Sequence, residues 1–441
     1  MIQATARVTP TYFCSSAAVD ITPVKPVPLA GYSGHRIWRT GSTPLEANAV
    51  FLTDGRSQVL FISVDLLYCG SELTNHVMQC AAEFGLREGD VILAASHTHF
   101  APATDRNKPL LGVVDDGYMR HLTDCLSELV AKTLTHPRVP VLIRSAVGEV
   151  PLNVNRRRLW RWPTWTRKGL TLAPTIVMAP APQAPRDTLL DAIRLDGLDG
   201  TTRAVLWKYA CHPVCAPESH GISAEYPGYA RERLRATTRE LTPVVFLQGF
   251  AGDVRPNLRG TPTARARLAA LRRGPGFFRV RQDDWHRWLD SLCEAFVSVT
   301  RRAEMRLDSE WLMIQHSEVP IDALLDVAIN AHLRDKRLRL QRVAFGSCLE
   351  MVFISAEVCT PYVALLHQGM RSIFASCTGD VFGYLPSESQ AIEGGYEGGD
   401  FFRAFGLHGH FRRGFQQAVL DAASQLRSGD SLAHSRSSSM G

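Results

Sequence analysis

Apolar residues recur near every third or fourth position over 71–84, 117–134, 226–239, 283–302, 322–340, 361–374 and 412–427, which predicts helices with one buried face. Shorter and denser apolar runs predict strands: Val91-Ile92-Leu93-Ala94, Val141 to Val147, Ala204 to Trp207, Val244 to Leu247 and Met351 to Ser355. Asp54-Gly55 stands between Ala49-Val50-Phe51-Leu52 and Val59-Leu60-Phe61-Ile62, a turn signal between two strands. A second hairpin is expected around Asp196-Gly197-Leu198-Asp199-Gly200, ahead of Ala204 to Trp207. Strands and helices mix without a strict βαβ rhythm, so the expected fold class is α/β, with mixed sheets covered by helices.

Two stretches depart from this pattern. Leu159 to Ala184 carries Trp160, Trp162, Trp165 and several prolines, and it reads as a long irregular loop forming a mobile rim. The serine-rich end from about Ser428 reads as a disordered tail, 428–441, and residues 1–16 as an N-terminal arm. Between them a single domain, 17–427, is expected.

With 441 residues, 45% of them hydrophobic, the chain can build a large core, which excludes a disordered protein. No run of 18 apolar residues occurs, so no transmembrane segment is expected; nor does an apolar stretch follow Met1 to Arg7, and no export signal is read there. Ten cysteines are scattered without a Cys-x-x-Cys, and they read as buried thiols of a cytoplasmic protein. Cys211 and Cys215 flank His212 but have no second pair, a poor match to a zinc finger. The net charge of +6 is uneven: Arg156-Arg157-Arg158, Arg161 and Arg167-Lys168, then Arg265 to Arg281, then Arg334 to Arg342. Such blocks are solvated faces, or they answer to an acidic substrate or an anionic surface. No nucleic-acid motif accompanies them, so no nucleic-acid partner is expected; a catalytically silent binding protein would rest on charge alone.

The candidate chemistry begins at Ser96-His97-Thr98-His99. Two imidazoles two residues apart, directly after a buried strand, would leave one face at its carboxyl end, where sites are commonly built. The pair alone suits either a metal or a hydrogen-bonded strand end. His212 also follows an apolar run, Val205 to Ala210, and Glu357 ends the run Met351 to Ala356. Taken singly, such a histidine is more often structural, such a glutamate a solvent-facing carboxylate, and Tyr384, after a glycine-rich turn, a half-buried phenol.

Several segments in order resemble the catalytic domain of the neutral, non-lysosomal ceramidases. They are Ala18-Val19-Asp20-Ile21-Thr22-Pro23 with Gly31-Tyr32, Ser63-Val64-Asp65-Leu66, Ser96-His97-Thr98-His99 and Asn153-Val154-Asn155-Arg156. Ala210-Cys211-His212-Pro213, Gly252-Asp253-Val254-Arg255-Pro256-Asn257, Phe353 to Glu357 and Gly383-Tyr384 with Tyr396-Glu397 follow. The resemblance runs from about residue 17 to about residue 425 and implies a ceramidase-like fold without the immunoglobulin-like module of the family's secreted members. It implies zinc held by His97, His212, Glu357 and Tyr384, and His99 as a proton-moving partner. It also implies Arg156 and Tyr396 as substrate-contacting donors. A zinc so held lowers the pKa of bound water to about 7 and polarises a carbonyl, which serves hydrolysis of an amide or ester.

The sequence departs from the family at Arg255, where the family carries a serine considered catalytic. A guanidinium cannot act as nucleophile or accept a proton, which leaves direct attack by zinc-bound hydroxide or an inactive relative, and Arg255 beside the site would favour an anionic substrate. The expected activity is zinc-dependent cleavage of an N-acyl bond in a small acylated compound or a lipid such as ceramide. The alternative is removal of N- or O-acetyl groups from an acidic glycan. Asp65 and Asp253 are expected to support the site rather than act as bases.

Overall fold

Alternate residues of the strand Glu46–Thr53 serve two different cores. Ala47, Ala49 and Phe51 face helices, whereas Val50 and Leu52 face a second sheet. A fully buried strand needs apolar side chains on both faces, and this is why its sequence is a continuous apolar run. The computed structural model describes residues 12–32, 36–38, 43–166, 169–217, 221–238, 241–264, 267–268, 270, 275–307, 310–326 and 333–437, without the side chains of 36, 164–166 and 429–437.

The larger sheet has nine strands. In spatial order they are Val244–Gln248, Thr202–Tyr209, Leu189–Gly197, Val139–Glu149, Tyr12–Asp20, Glu46–Thr53, Gln58–Val64 and Val91–Ala95, with Met305–Arg306 added on Val139–Glu149. Both predicted hairpins are present: Glu46–Thr53 pairs antiparallel with Gln58–Val64, and Leu189–Gly197 with Thr202–Tyr209. Helices Gly70–Ala82, Asp116–Thr135, Glu225–Thr238 and Gln282–Arg301 cover its outer face. The inner face packs on a four-stranded sheet of Leu312–Pro320, Arg337–Phe345, Leu349–Ile354 and Ser372–Ala375. The helix Phe415–Ser437 lies on the far side of that sheet. The fold is therefore α/β with mixed sheets between helical layers.

The large sheet curls. The backbone N–H of Val244, on one edge strand, donates to Oδ1 of Asn48 at 3.1 Å, and that of Phe246 to Oγ of Ser63 at 3.3 Å. These bonds bring one edge of the sheet against strands near the other, and with it the loops that follow Val91–Ala95 and Thr202–Tyr209.

Several sequence expectations are corrected. Among the described residues of 322–340 the helix is a single turn, Ile321–Leu324, and the strand Arg337–Phe345 follows. In Leu338-Arg339-Leu340 the alternation has period two, and both leucines enter the core. The helix expected over 361–374 ends at Leu366, and Gly369 (φ +86°) turns the chain into the strand Ser372–Ala375. Leu159 to Ala184 is largely regular among the described residues, because Arg157–Thr166 and Gly169–Met178 form an antiparallel ribbon and only 179–184 are irregular. A two-stranded ribbon has two edges, where prolines such as Pro163 and Pro174 are tolerated because a missing N–H costs no ladder bond. Tyr12–Asp20 begins inside the expected arm, and Phe415–Ser437 continues past Ser428. Of the basic blocks, Arg167, Lys168, Arg265, Arg272 and Arg273 lie outside the described residues. Among the described residues no helix is long and apolar enough to cross a membrane, and all ten cysteines are unpaired.

Candidate metal centre

Three chain segments leave buried strands and meet at one point. The strand Val91–Ala95 ends, Ser96 N–H donates to the carbonyl of Val64 (2.9 Å) and His97 N–H to that of Leu66 (2.9 Å). His97 has φ +65°, so the strand period does not continue through the His-x-His pair as the sequence suggested; a left-handed turn aims the rings instead. The rings of His97 and His99 still converge, with centroids 5.1 Å apart and nearly perpendicular. His212 follows Thr202–Tyr209, its ring centroid 4.7 Å from that of His97 and 5.9 Å from that of His99. Glu357 arrives from the small sheet, paired in parallel register with Tyr384, so the two side chains leave side by side.

Each histidine is oriented through Nδ1. That of His97 bonds the carbonyl of Leu67 (3.1 Å), that of His212 the carbonyls of Ala251 (2.7 Å) and Val254 (3.0 Å), and that of His99 the carbonyl of Gly31 (2.9 Å). A carbonyl on Nδ1 makes that nitrogen the donor and leaves Nε2 as a lone-pair ligand. Gly31 has φ +97°, and a Cβ there would lie 2.6 Å from Nδ1 of His99, so only glycine permits this approach.

The Nε2 atoms of His97 and His212 each lie 3.2 Å from Oε2 of Glu357. All three atoms are buried and form no hydrogen bond. Orphaned buried lone pairs converging on one point are costly unless a cation is shared between them. His97, His99 and His212 can also place one ligand atom each within 4.8 Å of one another. The site thus fits a metal through His97, His212 and Glu357, with His99 and Tyr384 adjacent.

The electrostatics agree with a ligand set. Burial, with the Arg156 charge, holds the pKa of His212 down to about 4, so it is neutral at physiological pH. Burial alone would raise the Glu357 carboxyl, but His97 and His212 outweigh it and keep Glu357 well below the usual range. Burial likewise opposes a charge on His97, yet the Cys377 sulfur and the Glu357 carboxylate raise its pKa well above ordinary.

On the other side of Glu357, Nη2 of Arg156 donates to the Tyr384 hydroxyl (3.1 Å) and to the carbonyl of Gly252 (2.8 Å). The rings of Tyr384 and Tyr396 stand 5.4 Å apart. Burial and then the Glu357 charge raise the phenol of Tyr384 well above its usual pKa. His97, His99, His212, Glu357, Tyr384, Arg156 and Tyr396 are thus brought together.

Arg255 is not among them. Its Nη2 donates to Sγ of Cys215 (3.1 Å), and the guanidinium lies 4.1 Å over the Phe277 ring. On the strand Val254–Pro256 the Val254 carbonyl holds His212, while the Arg255 guanidinium is engaged with Cys215 and Phe277. Asp65 accepts from Nη1 of Arg231 (2.9 Å), and Asp253 from Thr360, Gln390 and Asn155, so both tie segments together.

Tyr68 and Glu225 escaped the sequence reading, and Glu397 stood in a motif without a role. Tyr68 donates its hydroxyl to Oε1 of Glu357, leaving Oε2 for the histidines. Buried Glu397 accepts from Nε of Arg156 (2.7 Å) and Nη1 of Arg157 (3.0 Å). Glu225, buried with φ +54°, accepts from the N–H groups of Cys215 and Ala216 and fixes the loop after His212; burial lifts its pKa to about 7. Tyr68 follows the Ser63 to Leu66 motif and Glu397 lies within Tyr396-Glu397, but no spacing rule shows which atoms they meet.

The fold and site define a mixed α/β protein with a buried histidine and carboxylate centre at strand ends. Among solved structures the chain is similar to the neutral ceramidase from Pseudomonas aeruginosa: TM-score 0.71 and 16% identity, covering 95% of this chain and 75% of that one. A ceramidase complexed with C2 gives TM-score 0.69 and 15% identity over the same shares. No family model matches the sequence.

Proposed function

We propose that this chain is a metal-dependent amidohydrolase that cleaves the N-acyl bond of a lipid amide of the ceramide class, with zinc as the ion its donors suit. The convergence of His97 Nε2, His212 Nε2 and Glu357 Oε2, each histidine nitrogen 3.2 Å from the carboxylate oxygen, carries this reading. A divalent ion bound there supplies a nucleophilic water at neutral pH and polarises the substrate carbonyl. His99, with Nδ1 fixed on Gly31, offers Nε2 to take a proton during attack and return it to the departing amine. Arg156 is held rigid by Glu397 and, with the hydroxyls of Tyr384 and Tyr396, presents fixed positive charge and donors to a developing oxyanion. The C–O bond forms, the C–N bond breaks, and the products are a carboxylate and an amine.

Deacetylation of an acidic glycan would use the same chemistry. Its main support was Arg255, whose guanidinium lies over Phe277, so the lipid amide is preferred. The test is a hydrolysis screen of the zinc-loaded protein on short- and long-chain ceramides, N-acyl amino acids and acetylated acidic glycans, with metal content measured alongside. About one zinc per chain and turnover of ceramides are expected. A metal-free protein that is equally active would overturn the metal, and turnover confined to glycans would overturn the substrate.

A further inference from the structure

The ribbon Arg157–Thr166 and Gly169–Met178 begins one residue after Arg156, and its first side chain, Arg157, is locked to Glu397. Its base therefore belongs to the site. In an antiparallel ribbon directly opposed residues share a face. The pairs Leu159 with Ile176, Arg161 with Pro174, and Pro163 with Leu172 place these six on one face, and Leu170 joins Leu172 by the same alternation. At the base this face packs: a Cβ on Gly395 would lie 2.8 Å from Ile176, next to Tyr396. Further out it is bare, with Leu159 56%, Leu172 58% and Leu170 65% exposed. The opposite face carries Trp160 and Trp162, both half-buried.

The charge of this segment is one-sided. From Val150 to Arg186 the chain has no Asp or Glu, whereas Arg156, Arg157, Arg158, Arg161, Arg167, Lys168 and Arg186 fall within it. Arg156 and Arg157 are paired with Glu397 and Glu393, but among the described residues neither Arg158 nor Arg161 forms an ion pair. Leucines and prolines with Arg161 among them, and Trp160, Trp162 and Arg158 on the opposite face, match the boundary of an anionic bilayer: the leucines enter the acyl region while the two arginines, which lack a carboxylate partner among the described residues, meet phosphates.

We infer that this ribbon docks the protein on an anionic phospholipid surface and so brings the Tyr396 side of the centre against the membrane. The inference goes beyond the proposed hydrolysis, since docking needs no turnover. A second copy of the chain would cover the leucines but would meet the arginines with equal positive charge.

The test is flotation of the full-length protein with vesicles of phosphatidylcholine alone and of phosphatidylcholine with phosphatidylglycerol. Binding is expected to the anionic vesicles only, weakening with salt, and at least about tenfold weaker for Leu170→Asp/Leu172→Asp. Because these leucines are exposed, the variant is expected to fold; Arg158→Gln/Arg161→Gln, which keeps the apolar face, should also weaken binding. Equal binding to both vesicle types, binding unchanged in both variants, or self-association that the leucine variant abolishes would overturn the inference. Loss of vesicle binding with intact hydrolysis of a soluble short-chain amide would refute docking alone; vesicle binding without hydrolysis would refute the amidohydrolase alone.

Discussion

Glu397→Gln removes one negative charge from between two guanidiniums while keeping the shape of the side chain. Glu397 is buried, with Arg156 Nε at 2.7 Å from one carboxylate oxygen and Arg157 Nη1 at 3.0 Å from the other. At a charge separation of about 4 Å and an effective dielectric near 20, each pair is worth roughly 4 kcal/mol before desolvation is counted. Arg157 keeps Glu393 at 3.1 Å, but that carboxylate is half exposed and compensates weakly. Arg156 is left buried beside the Tyr384 hydroxyl and the Gly252 carbonyl, neither of which carries a full charge. Removing one partner of a buried pair costs about 3–5 kcal/mol, and that is the expected loss. Urea unfolding followed by tryptophan fluorescence measures it, with Glu393→Gln as the exposed control, expected to change stability by less than about 1 kcal/mol. Arg156 should also loosen from Tyr384, lowering turnover more than metal content. A Glu397→Gln protein as stable as the Glu393→Gln control would refute the claim that this carboxylate holds Arg156.

Tyr68→Phe deprives Glu357 of its Oε1 donor and should weaken zinc affinity by about 10- to 100-fold in a chelator competition, with the fold retained; unchanged affinity would remove Tyr68 from the site. His212, at about 4 in the fold against about 6.5 unfolded, contributes stability that is present above pH 6.5 and is lost as pH falls toward 4. The metal-free protein should therefore lose up to about 3 kcal/mol more over that window than His212→Gln does, read as the difference between their urea midpoints. His97, whose pKa is raised, has the opposite sign and is common to both proteins. Arg255→Ser is expected to leave metal content and the preference between charged and uncharged acyl substrates unchanged, because the guanidinium is engaged with Cys215 and Phe277; a selective loss on the charged substrate would show otherwise.

Where a local run or period decides an element's burial, the sequence was sufficient. The Asp54-Gly55 hairpin, the helices Gly70–Ala82, Asp116–Thr135, Glu225–Thr238 and Gln282–Arg301, and the strands Val91–Ala95 and Val244–Gln248 all follow from local period and turn chemistry. Local period failed where partners lie elsewhere in the chain. Arg337–Phe345 is a strand because sheet neighbours flank it on both sides, and the tryptophan ribbon exists because its two prolines face no third strand. The block Arg156-Arg157-Arg158 was open to reading as a solvated face, yet its first two residues are buried, since Glu397 waits some 240 positions along the chain.

By itself the sequence determined which residue types could do chemistry and that they stand where buried strands end, for both are properties of short segments. Only the tertiary structure decided which of them share a point in space. The curl of the large sheet, tied by Asn48 and Ser63, brings the His97 and His212 loops together, and the small sheet delivers Glu357 between them. The same packing turns Arg255 onto Phe277 and sets Tyr68 on Glu357. Side-chain direction at the end of a strand depends on a few backbone angles, such as φ +65° at His97, that long-range contacts impose and no local pattern encodes.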